Sequence, residues 1–253
     1  DSDAKFPYSL KEYMPWYSNT DEILRKMSSF KTACPGANFD MTPQTETTDE
    51  GHSLTLNVIH IRKDDNQEAA PRKKALFVFG EHAREFISME SALHFVQTLC
   101  SNSDKAKEAL SSFDVTMVPV ANPLERRLAE AGQFCKRKNE HHVDLNRNFG
   151  AHRLDFPKPQ RNETYGGLKG FSEPASLIIK KLAETEKPKS YVSVHSGGYL
   201  VAMPFGYQKG HRPERNDGVD LQKVLDEVKS KYCPGCLQGT LAEAIDYDNP
   251  GCD

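Results

Sequence analysis

Apolar residues at Ile23, Leu24, Met27 and Phe30 recur at helical spacing behind a polar cap at Thr20 or Asp21, which predicts a first helix over 21–30. Leu54, Leu56 and Val58 alternate with polar neighbours, the period-two pattern of a half-buried strand over 53–61. The run from Ala75 to Phe79 has no polar face at all and predicts a central strand. Ile87, Met89, Leu93, Phe95, Val96 and Leu99 then predict a helix over 86–99 that packs back on that strand. Residues 115–120 read as the next strand, and 173–184 as a helix with Pro174 in its first turn, where the missing N–H costs little. Tyr191 to Val194 reads as another buried strand and 219–232 as a further helix. Strands separated repeatedly by helices predict an α/β sheet covered on both faces. In such a sheet a site is expected beyond the carboxyl ends of the strands. Glycine and proline fall as turn punctuation, without repeats or linkers, so residues 1–253 are expected to form one domain.

Composition narrows the function more than the fold. No apolar run approaches the roughly 20 residues of a membrane helix, so no span is expected. A net charge of −3, with basic residues scattered among acidic ones, gives no electrostatic footprint for nucleic acid. The six cysteines, Cys34, Cys100, Cys135, Cys233, Cys236 and Cys252, lack the repeated pair spacing of structural zinc sites and are read mainly as disulfides. Cys233-Pro-Gly-Cys236 lacks the strand-then-helix context of a redox pair, so its cysteines are expected to bridge to others. The sequon Asn162-Glu163-Thr164 and a start at Asp1 without an apolar leader fit a secreted, extracellular or vesicular protein whose signal peptide is removed or lies outside the sequence.

The candidate chemistry begins directly after the predicted central strand, in Gly80-Glu81-His82-Ala83-Arg84-Glu85. His82 and Glu85 stand three residues apart, a spacing that brings an imidazole and a carboxylate to one metal ion. His195 in Ser193-Val194-His195-Ser196 also follows a predicted strand and is the third ligand candidate. Two histidines and a glutamate leave one position of a tetrahedral zinc open, the arrangement of a hydrolytic site. In Asp144-Leu145-Asn146-Arg147-Asn148-Phe149 an asparagine beside an arginine offers a planar fork of donors to a carboxylate.

These segments, taken in order with Asn122-Pro123, Arg137 and Phe171-Ser172-Glu173-Pro174, resemble the zinc metallocarboxypeptidases of the pancreatic type from about Tyr17 to about Tyr247. The resemblance implies a mixed, largely parallel central sheet with helices on both faces. It further implies one Zn2+ held by His82, Glu85 and His195, and a zinc-activated water that hydrolyses the C-terminal peptide bond of peptides and proteins. Arg137 would polarise the scissile carbonyl as the catalytic arginine, Arg84 and Ser196 would lie against substrate, and Asn146 with Arg147 would grip its terminal carboxylate. A guanidinium fixed at developing negative charge favours the transition state over the ground state, which agrees with that role. The region 244–249 resembles the start of the family's mobile-tyrosine loop, with Tyr247 its candidate. The family's general base is a glutamate on a later strand, and none of these 253 residues matches it. A short form without that base would forfeit a factor of roughly 10² to 10⁴ and expose core, so the expectation is a catalytic domain incomplete at its C-terminus. A pro-segment or second chain completing the fold belongs to the same expectation. The alternatives are a non-catalytic peptide-binding module and a zinc amidohydrolase of small acylated amino acids; the region around Arg137 favours peptides.

Overall fold

The computed structural model describes residues 5–65, 72–150 and 159–246. These fall into two compact units, Asp1–His141 with Glu173–Ser196, and His142–Ser172 with Gly197–Asp253. The first unit opens with two helices, α1 (Leu10–Tyr13) and α2 (Thr20–Ser28), the second continuing as a 3-10 turn over Ser29–Lys31. The cap of α2 is Asn19 rather than Thr20 or Asp21. Asn19 is followed three residues later by Glu22, and each side chain binds the other's backbone N–H at 2.9 Å, two orphan amides satisfied at once. Thr20 is already helical, and its hydroxyl donates to Glu130 at 2.8 Å.

The strands β1 (Ala37–Thr47) and β2 (Ser53–Lys63) form a hairpin. They are followed by β3 (Lys73–Phe79), α3 (Phe86–Leu99), α4 (Asp104–Ser112), β4 (Phe113–Val118), α5 (Pro123–Glu130), α6 (Pro174–Glu186) and β5 (Ser190–Val194). The five strands make one sheet in the order β1-β2-β4-β3-β5. The β1–β2 and β2–β4 pairs are antiparallel, whereas β4, β3 and β5 run parallel, so the sheet is mixed as the resemblance implied. Alternation along the strands covers both faces. Phe79, Ile59, Ile61, Val115 and Met117 join Met89, Ala92 and Val96 of α3 and Ile23 and Met27 of α2 in one core. The intervening Val58, Leu76 and Val78 are equally inaccessible, and α6 lies along β1 and β2.

Two strands depart from the sequence reading. β1 carries little apolar signal because it is an edge: only Phe39 is deeply buried among its hydrophobic residues, and Pro43, which cannot donate to a ladder, is tolerated there. β5 was expected to be buried, yet Tyr191 and Val192 are 37% and 38% exposed. The reason is its place at the other edge, where among the described residues it pairs with β3 alone, beside an open groove lined by Phe77, Phe79, Leu93, Phe95 and Val194. At the sheet's centre the expectation is opposite: Leu76→Ala should lower unfolding stability by about 2–5 kcal/mol, read from the urea midpoint at unchanged m-value. A loss below about 1 kcal/mol would mean that the site collapses around the smaller side chain.

Cys34 and Cys100 are bonded, tying the segment before β1 to the end of α3 across 66 residues of chain; by the chain-entropy estimate such a closure contributes about 4 kcal/mol.

The second unit contains a 3-10 turn at Leu145–Arg147 and the elements β6 (Leu200–Met203), α7 (Arg215–Tyr232), β7 (Leu237–Thr240) and α8 (Leu241–Ala244). β6 and β7 are parallel, joined through α7, which contacts both. Cys233 and Cys236 bond to each other, which corrects the expectation of bridges to other cysteines. Cys233 ends α7, and the turn closed by the Cys236 amide on the Cys233 carbonyl at 2.9 Å brings the two side chains together. Cys135 is exposed and has no disulfide among the described residues; Cys252 and Tyr247 lie outside those residues.

Candidate metal centre

β3 and β5 are neighbours running in the same direction, with Phe79 opposite Val194, so the segments that follow them leave the sheet side by side at its carboxyl end. Gly80 makes the turn out of β3 at φ +70°, and a Cβ there would stand 3.1 Å from the Met89 side chain, so the position suits only glycine. The loop that follows is tied down by backbone and side-chain bonds. The Ala121 and Asn122 amides donate to the Phe79 and Gly80 carbonyls at 2.9 and 3.0 Å. The buried Asn122 amide group reaches the carbonyls of both Glu81 and Lys138, linking this turn to the segment that carries Arg137. The Ala83 amide donates to the Arg137 carbonyl at 3.3 Å. Asn122 was legible in the sequence only as part of a motif; its work is to hold these two loops together.

That framework brings His82, Glu85 and His195 into one group whose ligand atoms all lie within 4.8 Å of one another. His82 Nδ1 is 2.6 Å from Glu85 Oε1, His195 Nδ1 is 2.9 Å from Glu85 Oε2, and the two Nδ1 atoms are 3.2 Å apart. A tetrahedral ion with bonds of about 2.0–2.2 Å places its ligand atoms ~3.3 Å apart, close to the separation of the two nitrogens. Two imidazoles and one carboxylate are ligand types that zinc accepts, and three protein ligands leave its fourth position open. The residues therefore fit such an ion. His82 and Glu85 are buried and His195 is about a quarter exposed, so the group opens to solvent on one side.

Electrostatics within the group are strong. Burial pushes the Glu85 carboxyl up, but bonds to His195 and His82 outweigh it and hold the group well below the usual carboxylate range. Burial disfavours a charged His195, yet the carboxylates of Glu81 and Glu85 raise its pKa well above the ordinary value.

The other predicted residues fall as follows. The Arg137 Nη1 lies 3.4 Å from His82 Nδ1, at the rim of the group. Arg84 is exposed and reaches the Cys135 carbonyl at 3.5 Å. The Ser196 backbone amide donates to Glu85 Oε2 at 3.1 Å, so this residue touches the cluster through its main chain. Glu173 is buried and accepts from Asn139 and His141, both at 2.6 Å, which anchors the start of α6. Asn146 and Arg147 are buried in the second unit on the 3-10 turn, where Asp144 accepts from the Asn146 amide at 3.1 Å. Gly166 is required beside them, since a Cβ there would collide with the Arg147 carbonyl. Two residues near the cluster carried no role in the sequence reading: Glu81, 1% exposed, and Ser193, both against His195. The available signal was an acid placed between an apolar strand and a candidate ligand.

The model of the zinc carboxypeptidase family matches residues 43–239. The chain belongs to that family. Among its relatives, carboxypeptidase O of Bos taurus is 24% identical over 211 residues, covering 77% of this chain and 56% of the relative. An inactive metallocarboxypeptidase of Arthroderma benhamiae is 23% identical over 195 residues, covering 69% of this chain and 33% of that protein. The crystal structure of thrombin activatable fibrinolysis inhibitor superposes with a TM-score of 0.77 at 22% identity, covering 94% of this chain and 62% of that one, a likeness of fold. The chain spans about half the length of the curated relatives it matches.

Proposed function

We propose that this chain is the metal-bearing body of a zinc-dependent carboxypeptidase that removes residues from the C-termini of peptides and proteins. The observation that carries the reading is the His82, Glu85 and His195 group at the carboxyl ends of two adjacent parallel strands, in a chain of the zinc carboxypeptidase family. Those three residues would hold one Zn2+. When bound, the ion supplies a Lewis acid for the scissile carbonyl and a water acidified to a pKa of about 7.

Other residues of the chain would contribute charge and substrate contacts. Glu85 brings negative charge and is held ionised by its two histidine partners. Arg137 stands at the rim of the ligand group, where a fixed guanidinium stabilises the oxyanion as it develops. Asn146 and Arg147 would take the substrate's terminal carboxylate through charge-assisted hydrogen bonds, and Arg84 and Ser196 would bind substrate as well. The Cys34–Cys100 and Cys233–Cys236 bonds support an oxidising, extracellular or vesicular setting. A second reading, a peptide-binding module without turnover, is favoured by the relative named as an inactive metallocarboxypeptidase.

The test incubates the full-length protein with one peptide in two forms, with a free and with an amidated C-terminus, followed by mass spectrometry. Loss of terminal residues from the free form alone, stopped by a chelator and restored by zinc, is the expected result. Retention of both forms with measurable binding of the free peptide would establish the second reading.

A further inference from the structure

The Glu81 carboxylate is the most deeply buried acid beside the ligand group, at 1% exposure. Adjacent in sequence to His82, it nevertheless points at the other imidazole: Oε2 lies 3.0 Å from His195 Nε2. The same oxygen accepts from the Ser193 hydroxyl, whose Oγ is also 2.9 Å from His195 Nε2. The strand register explains the pairing, because the residue after Gly80 on the β3 side faces the segment that continues β5. Glu81 and Ser193 therefore occupy the side of the His195 ring opposite Nδ1, the nitrogen that faces His82 and Glu85. Burying a carboxylate is costly unless it is paired, and the partner that Glu81 has is this ring. Its Oε1 is buried without a hydrogen-bond partner among the described residues, so the side chain is committed to the contact through Oε2.

We infer that Glu81, with Ser193, is a positioning residue for the metal centre: it accepts a hydrogen bond from the Nε2–H of His195, fixes the tautomer that presents Nδ1, and adds a second negative charge beside a dication. A ligating imidazole that donates its other N–H to a carboxylate is held in orientation and made more basic, and loss of such a partner typically costs about 10- to 100-fold in metal affinity. Glu85 gives the ligand set one negative charge; Glu81 behind His195 adds a second and so offsets more of a divalent ion's charge, beside the positive Arg137 guanidinium at the rim. Ser193 contributes by donating to Glu81 Oε2, the oxygen that faces His195.

This inference rests on the zinc reading, and the experiment separates the two. Zinc affinity of the purified chain is measured by chelator competition for wild type, Glu81→Gln, Glu81→Ala and Ser193→Ala, with the visible spectrum of the Co2+ form and the melting of the metal-free chain alongside. Glu81→Gln keeps volume and folding but removes the charge. The expected result is a roughly 10- to 100-fold weaker zinc affinity for the glutamine and alanine variants, a smaller loss for Ser193→Ala, and an altered Co2+ spectrum in each. Zinc affinity within twofold of wild type in a folded Glu81→Gln, with an unchanged Co2+ spectrum, overturns the positioning role. Absence of zinc binding by wild type overturns the zinc reading itself.

Discussion

In His195→Ala the chain is expected to lose its bound zinc while keeping its sheet. Structural zinc sites with four protein ligands are worth about 10–16 kcal/mol, on the order of 3 kcal/mol per ligand, so removing one of three should weaken affinity by roughly 100- to 1,000-fold. The loss is expected to be larger than for any residue behind the ligands, because a bond to the ion disappears rather than a support for it. His195 follows the last residue of β5 and is about a quarter exposed, so its truncation leaves the strand pairing with β3 in place. Zinc per chain after dialysis, read beside the far-UV circular dichroism spectrum, checks both halves of the expectation. One equivalent of zinc retained at wild-type affinity would remove His195 from the ligand set. Loss of the circular dichroism signal together with the zinc would mark the residue as structural.

The second large effect is expected at Arg137. Its guanidinium lies beside the ligand group, 3.4 Å from His82 Nδ1, while its backbone carbonyl is bonded to the loop that carries His82. Truncation to alanine spares that carbonyl and removes the guanidinium with its side-chain contacts. If Arg137 acts on the oxyanion, kcat for removal of a C-terminal residue should fall on the order of 10²- to 10³-fold, the usual effect of losing one oxyanion donor. KM should change little, since the interaction strengthens only as charge develops. A large rise in KM at unchanged kcat would instead make Arg137 a residue that binds substrate in the ground state.

Most of the long elements were legible in the sequence because their burial is one-sided and periodic. The helix predicted over 86–99 occupies those residues, and the apolar run at 75–79 lies between two parallel strands. Elements whose stability comes from position were not legible. β1 shows the sheet one buried phenylalanine and the solvent mostly polar residues, so its sequence carries no strand signal. β5 carries strand-forming residues, but sequence composition cannot distinguish an edge from an interior strand, and the difference is a matter of what pairs beside it. Likewise, the Cys233–Cys236 bond depended on where α7 ends and how the chain turns after it.

By itself the sequence determined the kind of chemistry, because metal affinity begins with ligand type, and two histidines and a glutamate following apolar strands restrict the ion and the reaction it serves. It also determined the family, through motifs whose order survives in a chain only about a quarter identical to its relatives. Tertiary structure alone decided which nitrogen of each imidazole faces the ligand group, that Ser196 reaches Glu85 through its backbone, and that the buried acid beside His82 serves His195 instead. Those facts follow from the register of β3 against β5, a long-range pairing between residues more than a hundred positions apart. Spacing along a chain fixes which side chains share a turn or a strand face; it carries no information about which atoms meet across a sheet.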